Sequence, residues 1–210
     1  MTLTIHGDPR STFTRTARMG CVEKGVDYAL DPLLPSQCKD KGLHPFGKIP
    51  AMTHGTVKLF ETAAILVYVD AAFDGPSLVP AEARPRAEMV QWISAINDVI
   101  YDAMVRRYVL QYVFPRGDDG QPDRSVIDAA LEQMREQFAT LDAAYGQGRY
   151  LVDDRLSHAD LFLAPILFYV GTMPEGPSLL AAAPAVQRGV AAIQARDSFA
   201  STMPPMPSET

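Results

Sequence analysis

The 210-residue chain changes character near residue 75, and no other feature of the sequence limits its possible folds as strongly. Before that point, short apolar segments typical of strands alternate with helical patterns in the order β-α-β-loop-β-β-α. After Asp74-Gly75-Pro76-Ser77, only helical periodicity remains. We therefore predict a small α/β domain over residues 1–75, a linker over residues 76–84 and an all-helical domain over residues 85–203. The last residues, 204–210, are predicted to be a disordered tail.

The elements of the α/β half are indicated by turn residues and spacing. Strands are predicted over residues 3–5, 26–30, 50–53 and 57–60, the last two joined by a turn that contains Gly55. A helix is predicted to begin at Ser11 or Thr12 and to end before Gly25, and another is predicted from about residue 61 to residue 73. The segment 31–47 is rich in proline and glycine and is predicted to be mostly loop.

Two long helices are predicted in the second half because apolar residues recur there every three or four positions. The two apolar faces are Met89, Ile93, Ile96, Ile100 and Met104, and then Ile127, Leu131, Met134, Phe138, Leu141 and Tyr145. A later helix has a clear start signal, since Ser157 and Asp160 have the spacing of a capping box.

Charge and cysteine usage exclude several classes of function. The net charge is −6 and the pI is near 5.2, which argues against nucleic acid or an anionic membrane surface as the main partner. Cys21 and Cys38 are too few for a disulfide framework and are not spaced as metal ligands. There is no apolar leader, and the longest apolar run, residues 161–170, is about half the ~20 residues that a membrane helix needs. We expect a cytoplasmic protein with no metal.

The most specific stretch is Gly47-Lys48-Ile49-Pro50-Ala51. A proline at the start of a strand has no N–H for the ladder, and one use for it is a cis bond that aims the preceding backbone outward. The N–H and C=O of Ile49 could then pair with a peptide-like ligand. Glu61 and Thr62 follow at the start of the next helix, where backbone N–H groups and a hydroxyl suit a carboxylate and the Glu61 carboxylate suits an ammonium.

These motifs, in this order, resemble those of the glutathione transferases. The resemblance extends over nearly the whole chain and rests on residues 7–15 (GDPRSTFTR), residues 45–51 (PFGKIPA), residues 59–65 (LFETAAI) and the Ser157-His158-Ala159-Asp160 cap. It implies a thioredoxin-like first domain, a helical second domain that contributes the electrophile pocket, and a homodimer. It also implies that glutathione, as co-substrate, binds along Ile49 and Pro50, with its γ-glutamyl end at Glu61 and Thr62.

The resemblance also implies where the glutathione sulfur binds. In this family a Tyr, Ser or Cys before the first helix binds it, and this segment offers only Ser11, Thr12 and Thr14. Its Ser-Thr-x-Thr-Arg pattern resembles the serine-type, phi-like enzymes, which favours Ser11 as the hydrogen-bond donor to the thiolate. Thr12 and Thr14 remain alternatives.

Three further sets of residues take roles from the resemblance, each beside a plain structural alternative. Lys48 is a candidate for the glycyl carboxylate or a solvated lysine. Phe46 is a candidate dimer contact or a core phenylalanine. Tyr101, Met104 and Tyr108 are candidates for the electrophile pocket or the helical core.

The predicted function is conjugation of glutathione, as the thiolate, to small hydrophobic electrophiles in detoxification, with glutathione-dependent peroxide reduction as a related activity. One alternative is a non-catalytic relative that serves as a binding or scaffold protein. Another is a glutathione-dependent isomerase or dehalogenase, which would share the glutathione site and differ in the second pocket.

Overall fold

The computed structural model describes residues 1–204, with the side chain of Asp119 left out. The predicted disordered tail therefore lies outside the described residues, apart from Pro204. The described residues form two compact units, the first made of residues 1–80 together with residues 194–204, and the second of residues 81–193.

The first unit is built on a four-stranded sheet with the order β2-β1-β3-β4. Strands β1 and β2 are parallel, and the pairs β1–β3 and β3–β4 are antiparallel. The strands are β1 (Leu3–His6), β2 (Tyr28–Asp31), β3 (Ala51–His54) and β4 (Val57–Phe60), and the helices are α1 (Thr12–Lys24), α2 (Pro35–Asp40) and α3 (Thr62–Ala72). The predicted thioredoxin-like first domain is confirmed.

The core of this unit lies where α1 and α3 pack on the sheet. Its buried members are Leu3, Ile5, Ala17, Cys21, Val26, Met52, Ile65 and Val69. Gly25 ends α1 with φ +74°, a left-handed conformation that its missing Cβ permits, and its N–H bonds back to the last turn. The hairpin between β3 and β4 turns at Gly55, as the sequence predicts.

The last segment of the chain packs on α1. Helix α10 (Asp197–Ser201) places the carbonyl of Phe199 within 3.0 Å of the buried Arg15 guanidinium. Arg196 donates two hydrogen bonds of 2.6 Å to the Glu23 carboxylate. The sequence places residues up to 203 in the helical domain, whereas these bonds explain why the segment belongs to the first unit.

The second unit is helical throughout. Its α-helices are α4 (Ala83–Ala95), α5 (Leu110–Val113), α6 (Arg124–Tyr145), α7 (His158–Thr172), α8 (Gly176–Ala181) and α9 (Pro184–Gln194), the last residue of which falls in the first unit. Both predicted apolar faces, on residues 89–104 and 127–145, are buried. The predicted all-helical second domain is confirmed, and no helix among the described residues has the length and apolarity needed to cross a bilayer.

The region between α4 and α5 departs from the predicted regular helix. Residues Ile96–Ile100 and Asp102–Val109 form π-helical turns. The N–H of Tyr101 bonds to the carbonyl of Ile96, five residues back, instead of four. The chain remains helical through this region, so the apolar residues on both sides of it still reach the core.

The start of α7 has the predicted capping box. Both oxygens of the fully buried Asp160 accept hydrogen bonds. Oδ2 accepts from the N–H of Ser157 at 2.9 Å and from its hydroxyl at 3.0 Å, and Oδ1 accepts from the N–H of Leu151 at 2.8 Å. Asp160 therefore ties the helix start to the loop before it.

Candidate functional site: one edge of the sheet

The register of the sheet brings the predicted site segments to one edge. His6 pairs with Ala51, and Ala51 pairs with Phe60, so the end of β1, the start of β3 and the end of β4 lie in one row. The loop that carries Ser11 follows β1, Ile49-Pro50 precedes β3, and Glu61-Thr62 follows β4. From β1 to β4 is two strand spacings, about 10 Å, which is about the length of an extended tripeptide.

Ser11 is the N-cap of α1 and is half-buried. Its Oγ accepts a hydrogen bond from the N–H of Thr14 at 3.4 Å. A hydroxyl that accepts in this way still has its own proton to donate, and within residues 1–204 that proton has no acceptor. The capping role and the predicted donor role of Ser11 are therefore compatible, because they use different parts of the hydroxyl.

The two alternatives to Ser11 are buried. Thr12 is 5% exposed and Thr14 is fully buried. The Thr14 hydroxyl lies beneath Gly7, where a Cβ would come within 2.4 Å of Oγ1 and within 3.2 Å of the Cβ of Ile49. Gly7 thus lets the loop pack closely over Thr14, and of the three residues only Ser11 is partly exposed.

Ile49 presents free backbone groups at this edge. The Ile49–Pro50 bond is cis, as the sequence suggested. Pro50 is buried and Ile49 is partly exposed. The N–H and C=O of Ile49 have no partner among the described residues, and the side chain of the neighbouring Lys48 is exposed. An extended peptide could therefore bond to Ile49 as an added strand does.

Glu61 and Thr62 form the start of α3. Glu61 has φ +69°, a conformation that costs a non-glycine residue of order 1–3 kcal/mol and recurs at functional sites. The Glu61 side chain does not cap α3, and the first N–H groups of the helix carry a partial positive charge. Thr62 is buried, and 59% of the Glu61 side chain is exposed. The pair offers N–H groups to a carboxylate and a carboxylate to an ammonium.

A row of polar side chains that contact one another connects the strands at the same edge of the sheet. His6 bonds through Nδ1 to Asp31 at 3.0 Å and through Nε2 to the Thr53 hydroxyl at 2.9 Å. Lys41 lies 3.6 Å from the same Asp31 carboxylate. The hydrogen bond from His6 and the charge of Lys41 hold the pKa of Asp31 below its usual value. This row joins β1, β2 and β3 at the level of the site.

Sequence reasoning missed one residue of the site, His44. It is 2% exposed, and its Nε2 lies 3.8 Å from Oε1 of Glu61. The signal available in the sequence was a histidine directly before the Pro45-Phe46-Gly47 motif. His44 and Glu61 are far apart in the chain, and they come into contact only because β3 pairs with β4. The sequence alone therefore does not reveal this contact.

Phe46 is one of the most exposed apolar side chains of the protein. Its ring is 72% exposed and packs edge-on against Phe60, which is 36% exposed, with ring centres 6.2 Å apart. Phe46 is thus not a core phenylalanine. The two rings form an apolar patch beside the site.

The predicted pocket residues lie in the helical unit. Met104 and Tyr108 are fully buried, and Tyr101 is half-buried with its ring 5.4 Å from the Arg106 guanidinium. The Tyr108 hydroxyl donates to Glu175 at 3.1 Å, and burial together with this carboxylate raises its pKa. Of these three side chains, only that of Tyr101 is partly exposed to solvent. Over residues 1–204, no three metal-binding side chains converge.

Two family models match the chain. The model described as the N-terminal domain of glutathione S-transferase matches residues 5–77, and the model described as its C-terminal domain matches residues 96–197. The first covers all the site segments at the edge of the sheet, and the second covers most of the helical unit.

Curated relatives and solved structures agree with these matches. The chain is 28% identical to glutathione S-transferase 3 of Zea mays over 220 residues, which cover 99% of this chain and 98% of the relative. The solved apo structure of glutathione S-transferase III superposes with a TM-score of 0.84 at 30% identity and covers 99% of this chain and 100% of that one. Glutathione transferase F7 of Populus trichocarpa has a TM-score of 0.85 at 26% identity, with 96% and 97% covered.

Proposed function

The chain belongs to the glutathione S-transferase family and is a glutathione transferase, and from this premise we propose that Ser11 stabilises the glutathione thiolate that attacks a small hydrophobic electrophile. The observation that carries the proposal is the convergence of Ser11, Ile49 and Glu61-Thr62 on one edge of the sheet. A single extended tripeptide can reach all of them. Reduction of a peroxide would use the same thiolate.

We propose the following placement of glutathione. The γ-glutamyl carboxylate accepts from the first N–H groups of α3 and from the Thr62 hydroxyl, and its ammonium pairs with Glu61. The cysteinyl backbone bonds to the N–H and C=O of Ile49 next to Pro50, as a short added strand. Lys48 is the candidate partner for the glycyl carboxylate. The sulfur then lies at Ser11.

The chemistry requires a thiolate at neutral pH. A free thiol has a pKa of about 8.5, and lowering it by about two units takes about 2.7 kcal/mol. A hydrogen bond from the Ser11 hydroxyl to a charged sulfur is worth about 1.5–3 kcal/mol. The N-terminus of α1 adds about 0.3–1 kcal/mol. The two together are enough, so no general base is needed and the thiol proton leaves to solvent.

In the reaction the thiolate sulfur forms a bond to an electrophilic carbon, and the leaving group departs with its electron pair. Ser11 donates a hydrogen bond throughout and is not itself a nucleophile. Holding the sulfur at a fixed place also removes much of the entropic cost of a bimolecular reaction. Tyr101 is the candidate contact for the electrophile from the helical unit.

We also propose that the active protein is a cytoplasmic homodimer in which Phe46 docks into a second copy of the chain. An aromatic side chain that is 72% exposed and packs on a second exposed ring supports this, since such patches mark contact surfaces. Both cysteines are free thiols, which suits a reducing compartment.

The proposal is tested by the ultraviolet absorption of the glutathione thiolate, titrated across pH on the wild type, Ser11→Ala and Ser125→Ala. Ser125 is a matched control, an exposed serine in the first turn of α6. We expect the thiolate band to shift to higher pH in Ser11→Ala by about one to two units, since the N-terminus of α1 remains, and to stay in place in the control. If the thiolate band appeared at the same pH in Ser11→Ala as in the wild type, the donor role of Ser11 would be refuted.

A further inference from the structure

His44 connects two parts of the site that are far apart in the chain. It begins the turn His44-Pro45-Phe46-Gly47, which its carbonyl closes by accepting from the N–H of Gly47 at 3.1 Å. Its ring Nδ1 accepts from the N–H of Phe46 at 3.2 Å. The other ring nitrogen, Nε2, faces the carboxylate of Glu61 at 3.8 Å. One imidazole thus contacts the exposed aromatic turn on one side and the start of α3 on the other.

The hydrogen bond from Phe46 fixes the proton of this ring. Because Nδ1 accepts, it carries no hydrogen, so the neutral ring has its proton on Nε2, the nitrogen that faces Glu61. Burial lowers the pKa of His44, and Glu61 opposes this shift while Lys48 adds to it. Neutral His44 therefore presents an N–H to Glu61 at ordinary pH.

The Glu61 carboxylate is exposed, and a neighbouring N–H can hold it in the orientation that binds a ligand. Its side chain is 59% exposed, its backbone has the strained φ of +69°, and no side-chain cap bond involves it. The His44 ring, by contrast, is 2% exposed and is packed against Phe60, with ring centres 4.9 Å apart. A fixed N–H beside an exposed carboxylate restricts the orientations that the carboxylate takes.

We propose that His44 is a positioning residue that orients the Glu61 carboxylate toward the ammonium of glutathione. The inference rests on the proposed placement of the γ-glutamyl end at Glu61. In this proposal, His44 contacts neither the glutathione sulfur nor the electrophile. His44 should therefore affect the binding of glutathione and leave the chemical step at saturating glutathione unchanged.

The test uses two substitutions that separate the two nitrogens. His44→Asn keeps an acceptor near Nδ1 for the Phe46 N–H and removes the group that faces Glu61. His44→Gln places an amide N–H near Nε2 and keeps that group. His54→Asn is the control, a partly buried histidine of β3 whose ring contacts Tyr68 and the Met1 carbonyl instead.

Calorimetric titration with glutathione should give a Kd about five- to ten-fold higher for His44→Asn and near the wild-type value for His44→Gln and His54→Asn. Two further results are expected only if His44 acts through Glu61. The double variant His44→Asn/Glu61→Gln should bind no more weakly than Glu61→Gln alone. Des-amino glutathione, which lacks the ammonium, should bind wild type and His44→Asn equally. In steady-state assays, KM for glutathione should rise while kcat stays constant.

An equal loss for glutathione and its des-amino analogue, or an additive double variant, would overturn the inference and leave His44 as a support of the fold. If His44→Asn loses its thermal transition, His44→Leu, which also has no N–H to present to Glu61, replaces it in the titrations with both ligands. If Glu61→Gln binds glutathione as tightly as the wild type does, the proposed placement itself is wrong. The failure of the inference and the failure of the proposed function are therefore distinguishable.

Discussion

Replacing Asp160 by asparagine removes one of two oxygens that three buried donors share. The Leu151 N–H bonds to Oδ1, and both the N–H and the hydroxyl of Ser157 bond to Oδ2. Asparagine keeps one oxygen and turns an N–H₂ group toward the donors on the other side. Asp160 is fully buried, so no solvent replaces the lost bonds.

The expected cost follows from the number of donors left without a partner. One or two buried donors lose their acceptor, and the new amide N–H faces them. Each buried group left without a partner costs about 1–3 kcal/mol. We expect Asp160→Asn to lower the free energy of unfolding by about 2–5 kcal/mol, a large share of the roughly 5–15 kcal/mol typical of a whole protein.

Asp123→Asn is the matched control. Asp123 caps α6, but all its hydrogen bonds, from the N–H groups of Ser125 and Val126 and from the Ser125 hydroxyl, go to the single oxygen Oδ1. Asparagine retains that oxygen and is an equally good cap, so the unfolding midpoint should stay close to that of the wild type.

The assay is urea unfolding followed by circular dichroism at one fixed protein concentration, with the midpoints compared at equal slope. Fixing the concentration removes the effect of any dimerisation. If the two asparagine variants had the same midpoint, the argument that Asp160 satisfies three donors would be refuted.

Three other outcomes are expected. Gly189→Ala should lower Tm, because the added methyl would come within 2.3 Å of Cε1 of the buried Tyr145. So severe an overlap places the overpacking cost near the upper end of about 1–3 kcal/mol, above the gain of about 1 kcal/mol in helix propensity, and an unchanged Tm would contradict this. The hydrogen bond from His6 lowers the pKa of Asp31. Ionised Asp31 therefore stabilises the folded state above its unfolded pKa of 3.8, and this stabilisation is lost as pH falls through the lower pKa of the folded state. In acid unfolding, the Asp31→Asn variant should not show this loss of stability. Burial raises the pKa of Cys21 to about 12, so labelling located by mass spectrometry should modify it only after unfolding in urea.

The sequence predicted most accurately what depends on neighbouring residues. Gly25 ends α1, Gly55 turns the hairpin, and Ser157 with Asp160 starts α7, since these signals act within a few residues. The regular spacing of apolar residues, as in the face from residue 127 to residue 145, likewise identified the buried side of its helix.

Features that depend on distant segments could not be predicted. The contact of His44 with Glu61 exists only because β3 pairs with β4. The π-helical turns after α4 leave the apolar spacing intact, so periodicity does not reveal them. For Ser11, the sequence motif gave three candidates, and the burial of Thr12 and Thr14, which the sequence does not show, favours Ser11. The functions of Ser11, Lys48, Phe46 and Tyr101 remain predictions.

The first unit is discontinuous in the chain, and this affects the order in which it can form during synthesis. The sheet and its three helices leave the ribosome early, but Phe199 of α10 and the following Thr202, which supply carbonyl oxygens to Arg15 and Arg18, are made only after the whole helical unit. Until then the two guanidinium groups must be hydrated, and the face of α1 that carries them stays uncovered. A fragment that stops after α3 would keep that face open permanently. Completion of the sheet unit is therefore a late event that waits for the helical unit to be synthesised, although most of its own sequence comes first.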